Sequence, residues 1–292
     1  MRRNKTLSAV LFEGKQRLKA AGKENYAFEG EILLMEACGL SRVTLFTQGE
    51  KEISFEQEEK YNDYLNQREK NRPLQYILGR CDFMGLSFSV GEGTLIPRSD
   101  TEILVETVLK ISKQEKIKKI IDVGTGSGCI PICLAYYGDM EGIGIDISPK
   151  ALEFARKNGT QHHADIQWLE SDLFSRVSDE WKGCFDAIVS NPPYIAEDVI
   201  TGLMPEVRDF EPENALDGGK DGLDFYRRII RESHQWLRDG GWLFFEIGYD
   251  QGPAVLSMMG DAGFQQCVLR QDLAGLDRVV YGKLNKVFLN EV

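Results

Sequence analysis

Residues 190–195 read SNPPYI and follow the apolar run Phe185-Asp186-Ala187-Ile188-Val189. Proline has no backbone N–H, so Pro192 and Pro193 cannot donate, yet their carbonyls still accept. A residue before proline is pushed into extended geometry, which stiffens Asn191 and projects its side chain. The tetrapeptide therefore offers acceptors, the Asn191 side-chain oxygen and the Pro192 carbonyl, backed by the flat ring of Tyr194. Such an array suits an NH2 group on a planar carbon. Two N–H bonds need two acceptors, and holding both aims the nitrogen lone pair at an electrophile. Tyr194 would stack on the amide or base plane. No strong general base is required, because the nitrogen becomes acidic once alkylated. The plain alternative is a turn that ends a strand.

A second constellation lies upstream. IIDVGTGSGCI places Gly124, Gly126 and Gly128 between an apolar strand and an apolar helix. Glycines there let a ligand approach the backbone, and a helix start offers free N–H groups. A dinucleotide fingerprint needs glycine at position 129, where Cys129 stands, so the spacing here is G-x-G-x-G. GIGIDI ends in Asp146, eighteen residues after Gly128, suited to accept from both ribose hydroxyls. WLESDLF places Asp172 at the end of a third strand, in reach of an adenine amino group. Together these strand ends point to an adenosine-type ligand. Alternatively, Asp146 caps a helix near Pro149 and Asp172 caps a turn before Leu173.

Positioning these groups requires a sheet. Residues 118–124, 141–147, 165–171, 185–191, 241–248, 264–270 and 277–284 read as strands, with helical segments between most of them. That alternation predicts an α/β fold, a doubly wound, mostly parallel sheet with helices on both faces. Residues 81–100 alternate and contain Gly and Pro, which predicts a hairpin connector. Residues 1–80 carry helical spacing instead. Leu7, Val10, Leu11, Gly14 and Leu18 share one face before Gly22, and Ile32, Leu33, Met35 and Glu36 mark a second helix ending near Gly39. A third helix starts after Ser54 and stops before Pro73. The expected organisation is an N-terminal helical bundle (1–80), a connector (81–100) and a catalytic domain (101–292).

The chain has 292 residues and a formal charge of −11. Residues 1–90 hold 14 Lys and Arg against 13 Asp and Glu, whereas residues 91–292 hold 21 against 33. An acidic catalytic domain is a poor partner for phosphate backbones, which counts against a nucleic-acid substrate. No apolar stretch approaches the roughly 18–20 residues that span a bilayer. The opening MRRNKTLSAVLF has too short an apolar core for a secretory signal, and the expectation is a cytoplasmic protein. The six cysteines form no C-x-x-C pair, so neither disulfides nor a metal site is expected; Cys129 and Cys133 read as small buried hydrophobes.

With these residues assembled, the chain resembles the class I S-adenosylmethionine-dependent methyltransferases that carry an (Asn/Asp/Ser)-Pro-Pro-(Tyr/Phe/Trp) tetrapeptide. Within them it closely resembles the HemK/PrmC family, which methylates the glutamine amide in the Gly-Gly-Gln motif of peptide chain release factors. The resemblance rests on RPLQYILG (72–79), TLIPRSDTEILVE (94–106), DVGTGSGCI (122–130), GIDIS (144–148), SDLF (171–174), SNPPYI (190–195), FEPENAL (210–216) and GGKDGLDFYRRI (218–229). It implies that Gly124, Thr125, Gly126, Ser127 and Gly128 line the S-adenosyl-L-methionine, with Asp146 on the ribose and Asp172 and Leu173 flanking the adenine. It also implies that Asn191 touches both cofactor and substrate, and that Asn191, Pro192, Pro193 and Tyr194 hold the glutamine. Release factors are the implied partner, approached by a monomer and contacted in part by the helical domain. Ser99 departs from the family's usual second proline and matches the related ribosomal-protein glutamine methyltransferases. Asp100, Thr101 and Glu102 favour the release-factor branch.

Three rival readings compete. An adenine-N6 or cytosine-N4 nucleic-acid methyltransferase would want a basic groove and a target-recognition segment. A nicotinamide-dependent oxidoreductase is disfavoured by Cys129 and by the lack of an evident proton-donor pair. A non-catalytic docking protein would have no need of an intact NPPY.

Overall fold

A computed structural model of the chain describes residues 5–286. The chain divides into two compact units. One runs up to Gly79 and takes in Pro205–Phe210; the other holds Arg80–Met204 and resumes at Glu211.

The first unit is helical: α1 (Leu7–Ala20), α2 (Tyr26–Cys38), α3 (Arg42–Thr47), α4 (Phe55–Glu69) and α5 (Leu74–Leu78). Its helix starts are written locally. The hydroxyls of Thr6, Ser41 and Ser54 each accept a first-turn backbone N–H, and Ser54 completes a capping box with Gln57. Each such cap stabilises by ~1 kcal/mol. Gly14 is needed for close approach, since a Cβ there would fall within 2.6 Å of the Tyr61 ring. The buried face of α2 differs from the expected one: Leu33, Leu34 and Ala37 are buried together with Glu29, Gly30 and Glu31, while Ile32, Met35 and Glu36 are only half-buried. The cause is polar. Arg68 on α4 holds Glu29 with two hydrogen bonds, of 2.8 and 3.0 Å, turning that carboxylate inward. Glu206, in the short helix Pro205–Arg208, pairs with the same guanidinium at 2.7 Å.

The second unit opens with a hairpin, β1 (Arg80–Phe83) against β2 (Leu86–Ser89). Met84 and Gly85 both have positive φ, as the two-residue turn that matches strand twist demands. Beyond it, β3 (Lys119–Val123), β4 (Glu141–Asp146), β5 (Ile166–Glu170), β6 (Phe185–Ser190), β7 (Leu237–Glu246), β8 (Phe264–Gln271) and β9 (Asp277–Leu284) form one sheet in the order β5-β4-β3-β6-β7-β9-β8. Pairings from β5 to β7 are parallel, and β9 runs antiparallel to both its neighbours. The anticipated doubly wound sheet is therefore present, with all expected strands in place. Helices α6 (Ser99–Glu115), α7 (Cys129–Gly138) and α8 (Pro149–Gln161), then Asp224–Ser233 and Gly252–Asp261, connect them. Helix α6 begins inside the stretch expected to be connector, because Pro97 ends the extended segment and Asp100 and Glu102 favour a first turn. Cys129 and Cys133 are buried on α7 among Ile130, Ile132 and Leu134.

After β3 the chain winds to one side through β4 and β5, then returns to lay β6 against the other edge of β3. Ligands gather where the order reverses, beyond the carboxyl ends of the strands. Register brings those ends level: Val123 lies beside Ser190, and Ser190 beside Phe245.

Candidate active site

At that rim lies a cavity of about 240 Å³. Of the anticipated residues, Gly124, Gly126, Asp146, Asp172, Leu173, Asn191, Pro192 and Pro193 border it. Thr125, Ser127, Gly128 and Tyr194, each a chain neighbour of a residue that borders it, do not line it.

The glycine loop leaves β3 in a left-handed path, with φ of 75° at Gly124, 54° at Gly126 and 80° at Gly128. The amides of Gly124 and Thr125 both donate to the Ile145 carbonyl at 2.9 Å, pinning the loop to β4. Below it Asp122 is fully buried, and among the described residues neither carboxyl oxygen meets a hydrogen-bond donor. Burial pushes this carboxyl up to about 7, and the nearby Asp146 charge adds to the rise. The hydroxyls of Thr125 and Ser127 are likewise buried without a hydrogen-bond partner among the described residues.

Asp146 is committed to the loop rather than to a helix cap. Its Oδ2 accepts from the Gly126 amide and its Oδ1 from the Ser148 amide, each at 2.8 Å. The α8 cap is Ser148, whose hydroxyl accepts from Ala151. Each carboxyl oxygen keeps a further lone pair for a ligand hydroxyl. Burial raises the Asp146 carboxyl above its ordinary range. Asp172 accepts from Arg228 at 2.8 Å through Oδ1. Leu173 takes φ 45°, a strained geometry for a branched residue that costs on the order of 1–3 kcal/mol. Its side chain forms part of the cavity wall.

Asn191 follows β6, whose Ser190 hydroxyl donates to the Val123 carbonyl at 2.7 Å. The Asn191 Nδ2 donates to the Thr101 hydroxyl oxygen at 3.2 Å. With its nitrogen so committed, the amide presents Oδ1 as the free acceptor. The Tyr194 phenol donates to Oε1 of Glu246 at 3.5 Å, and burial raises its own ionisation well above the ordinary value. The Tyr194 carbonyl accepts from Gln251 at 2.9 Å. Ile195 is held through Leu216 and Gly218.

The segment 94–106 acts as a brace for this loop. Thr101 meets Asn191; Arg98 pairs with the buried Glu211, which also accepts from the Ile96 amide at 3.3 Å. Glu102 accepts from the Met84 amide at 2.7 Å, and Asp100 lies 3.3 Å from Arg278. Sequence reasoning missed Asp122, Thr101, Glu211, Gln251 and Glu246. For Glu246 the signal was an acidic residue closing the apolar run GWLFFE; Thr101 was marked only as part of the Asp100-Thr101-Glu102 run, with no contact role, and Gln251 offered no signal.

Among the described residues, no group of three or more His, Cys, Asp or Glu is placed to hold a metal, and no helix is long and apolar enough to cross a membrane.

Known proteins supply the comparison. The PrmC N-terminal domain family matches residues 9–79, and the methyltransferase small domain family matches residues 99–204. A release factor glutamine methyltransferase from Geobacter sulfurreducens is 41% identical over 280 residues, spanning 96% of this chain and 97% of its own. A protein of the same name from Clostridium botulinum is 43% identical over 277 residues, spanning 94% and 98%. Among solved structures, a methyltransferase from Pyrococcus furiosus is 15% identical with a TM-score of 0.51, covering 70% of this chain and 91% of its own. At that identity the likeness is one of fold.

Proposed function

Because the chain belongs to the release factor glutamine methyltransferase family, we propose that its cavity takes S-adenosyl-L-methionine and that Asn191–Tyr194 hold the glutamine. The reaction is methylation of the side-chain amide nitrogen (N5) of the glutamine in the Gly-Gly-Gln motif of a peptide chain release factor.

The residues at the rim fit that cofactor. Its sulfonium and amino group are cationic, and the cavity gathers Asp146 and Asp172 over the buried Asp122, whose oxygens lack a donor among the described residues. Gly124 and Gly126 would let it approach the backbone, with Thr125 and Ser127 beneath and Gly128 packed against Trp168. Asp146 would hold the ribose, and Asp172 and Leu173 the adenine. When bound, the cofactor supplies a methyl carbon made electrophilic by a positively charged sulfur.

The chain supplies orientation. Asn191 Oδ1 and the Pro192 carbonyl accept the two N–H bonds of the glutamine amide, while the Tyr194 ring covers its plane. Holding both N–H bonds fixes the orientation of the amide nitrogen relative to the transfer line. The nitrogen gains a methyl group and releases one proton to solvent, with no general base demanded of the protein. The observation that carries the reading is the Asn191–Thr101 hydrogen bond at 3.2 Å, which occupies the Asn191 nitrogen and leaves Oδ1 to accept from a substrate NH2.

The test is incubation with cofactor and a purified release factor, followed by peptide mass mapping. A gain of one methyl group on the motif glutamine is expected. Methyl transfer to DNA or to a ribosomal protein, with none to the release factor, would overturn the assignment.

A further inference from the structure

The helix Asp224–Ser233 carries two consecutive arginines that meet different partners. Its buried face is Tyr226, Ile229, Ile230 and Ser233. Arg227 donates to Asp221 and to Asp224, each at 2.9 Å, and so stays within its own turn and the loop before it. Arg228 borders the cavity instead, together with Phe225 one turn earlier and Ile229. Its Nη2 donates to Asp172 Oδ1 at 2.8 Å, from fifty-six positions along the chain. Its guanidinium carbon lies 5.7 Å from the centre of the Phe225 ring. Asp172 and Leu173 border the same cavity.

An arginine in a cavity for a cationic cofactor has a cost, because like charges repel. What the cation does here is act on Asp172. That side chain is half exposed, so without a partner it would turn among its rotamers and keep its water. The guanidinium fixes Oδ1 with a charge-assisted bond and leaves Oδ2 to accept. A purine that covers the carboxylate strips its water, and the retained guanidinium offsets that loss. Phe225 restrains the arginine in turn through the face of its ring. We propose that Arg228 is a positioning residue that aims Asp172 Oδ2 at the 6-amino group of the cofactor, so that the pair selects adenine over a purine without that donor. The inference rests on the reading of the cavity as the cofactor's and of Asp172 as its adenine contact. A purine with a 6-oxo group would set an acceptor against the carboxylate and be refused.

The experiment uses the full chain and needs no protein substrate. Calorimetric titration compares S-adenosyl-L-homocysteine with its analogue bearing hydrogen in place of the 6-amino group. The wild type should bind the amino compound on the order of 10-fold more tightly. Arg228→Met keeps an unbranched stem and removes the charge. Its preference should shrink to roughly twofold or less, with Tm little changed, since a half-exposed ion pair adds little stability. Asp172→Ala should lose the same preference, and the double variant should lose no more. Arg228→Lys, which keeps the charge but not the fork of donors, should recover part of it. Arg227→Met, one residue away, should keep it in full. In the transfer assay Arg228→Met should raise KM for S-adenosyl-L-methionine and leave kcat unchanged. A preference in Arg228→Met equal to that of the wild type overturns the proposal, as does tighter binding of both compounds, the result expected if the arginine only repelled a cation. A wild type that shows the preference but methylates no release factor overturns the functional reading and leaves the role of Arg228 standing. A wild type that binds neither compound overturns both.

Discussion

Gln251 donates its side-chain N–H to the Tyr194 carbonyl at 2.9 Å and to the Gly222 carbonyl at 3.2 Å. Its Oε1 accepts from the Gly248 amide at 3.0 Å and shares the Tyr226 phenol proton, at 3.3 Å, with the Glu246 backbone carbonyl. One amide thus ties the end of the tetrapeptide to the turn after β7 and to the loop before the helix Asp224–Ser233. Leucine keeps the volume and makes none of these bonds. Gln251→Leu should destabilise the protein by about 1–3 kcal/mol and raise KM for the release factor more than Kd for the cofactor. Urea unfolding and calorimetric titration check the two effects, and equal weakening of both ligands would reduce Gln251 to a structural strut.

Asn191→Ala removes one of the two acceptors offered to the glutamine amide. Transfer should fall on the order of 10²-fold or more, while cofactor binding weakens less. Single-turnover assays beside equilibrium dialysis separate the two, and retained turnover would strip Asn191 of its role.

Gly126 and Gly128 serve different ends, and alanine distinguishes them. Both have positive φ, which strains any side chain, but a Cβ at 128 would fall 2.8 Å from the Trp168 ring, whereas at 126 the nearest atom lies 3.9 Å away. Gly128→Ala should cost about 2–5 kcal/mol, from backbone strain and overpacking together. Gly126→Ala should cost only about 1–2 kcal/mol, yet it places a methyl group on the cavity wall and should weaken cofactor binding more. Thermal unfolding and cofactor titration of the pair would show the opposite ranking in the two measurements.

Asp122 makes stability depend on pH in a defined direction. Its folded carboxyl is raised to about 7, so the folded state holds a proton that the unfolded chain, at an ordinary value near 4, has given up. That contribution is present in full below about pH 4 and is lost as pH rises through about 7. Asp122→Asn removes the linkage. Relative to the wild type, the variant should gain about 2–3 kcal/mol between pH 5 and pH 8, measured by urea denaturation at both values. A difference that stays constant with pH would place the Asp122 ionisation at its ordinary value.

The parts of the site written in local backbone rules were legible in the sequence. Proline pairs, glycine at positive φ and alternating apolar runs each act within a few residues, and the strands and the rim motifs were found through them. What escaped depends on partners far along the chain. Thr101 meets Asn191 across ninety positions; the sequence marked that threonine as part of a motif, but nothing in α6 pointed to its partner. Asp172 was expected beside an adenine, and the structure adds Arg228, fifty-six residues on, as its ion-pair partner. On α2 the apolar pattern misplaced the buried face because Arg68 draws Glu29 inward from thirty-nine residues away. A charged residue buried by a distant counter-charge reads, in sequence, as a solvated one.

The pairing of Glu206 with Arg68 bears on how this gene can be cut. Residues 205–210 are encoded inside the catalytic half yet belong to the helical unit. A recombination breakpoint at 79/80 therefore does not separate two interchangeable cassettes. A chimera that exchanged only the first 79 codons would bring a new helical bundle to an old Glu206, and would need to carry the second fragment with the first to keep their charges matched.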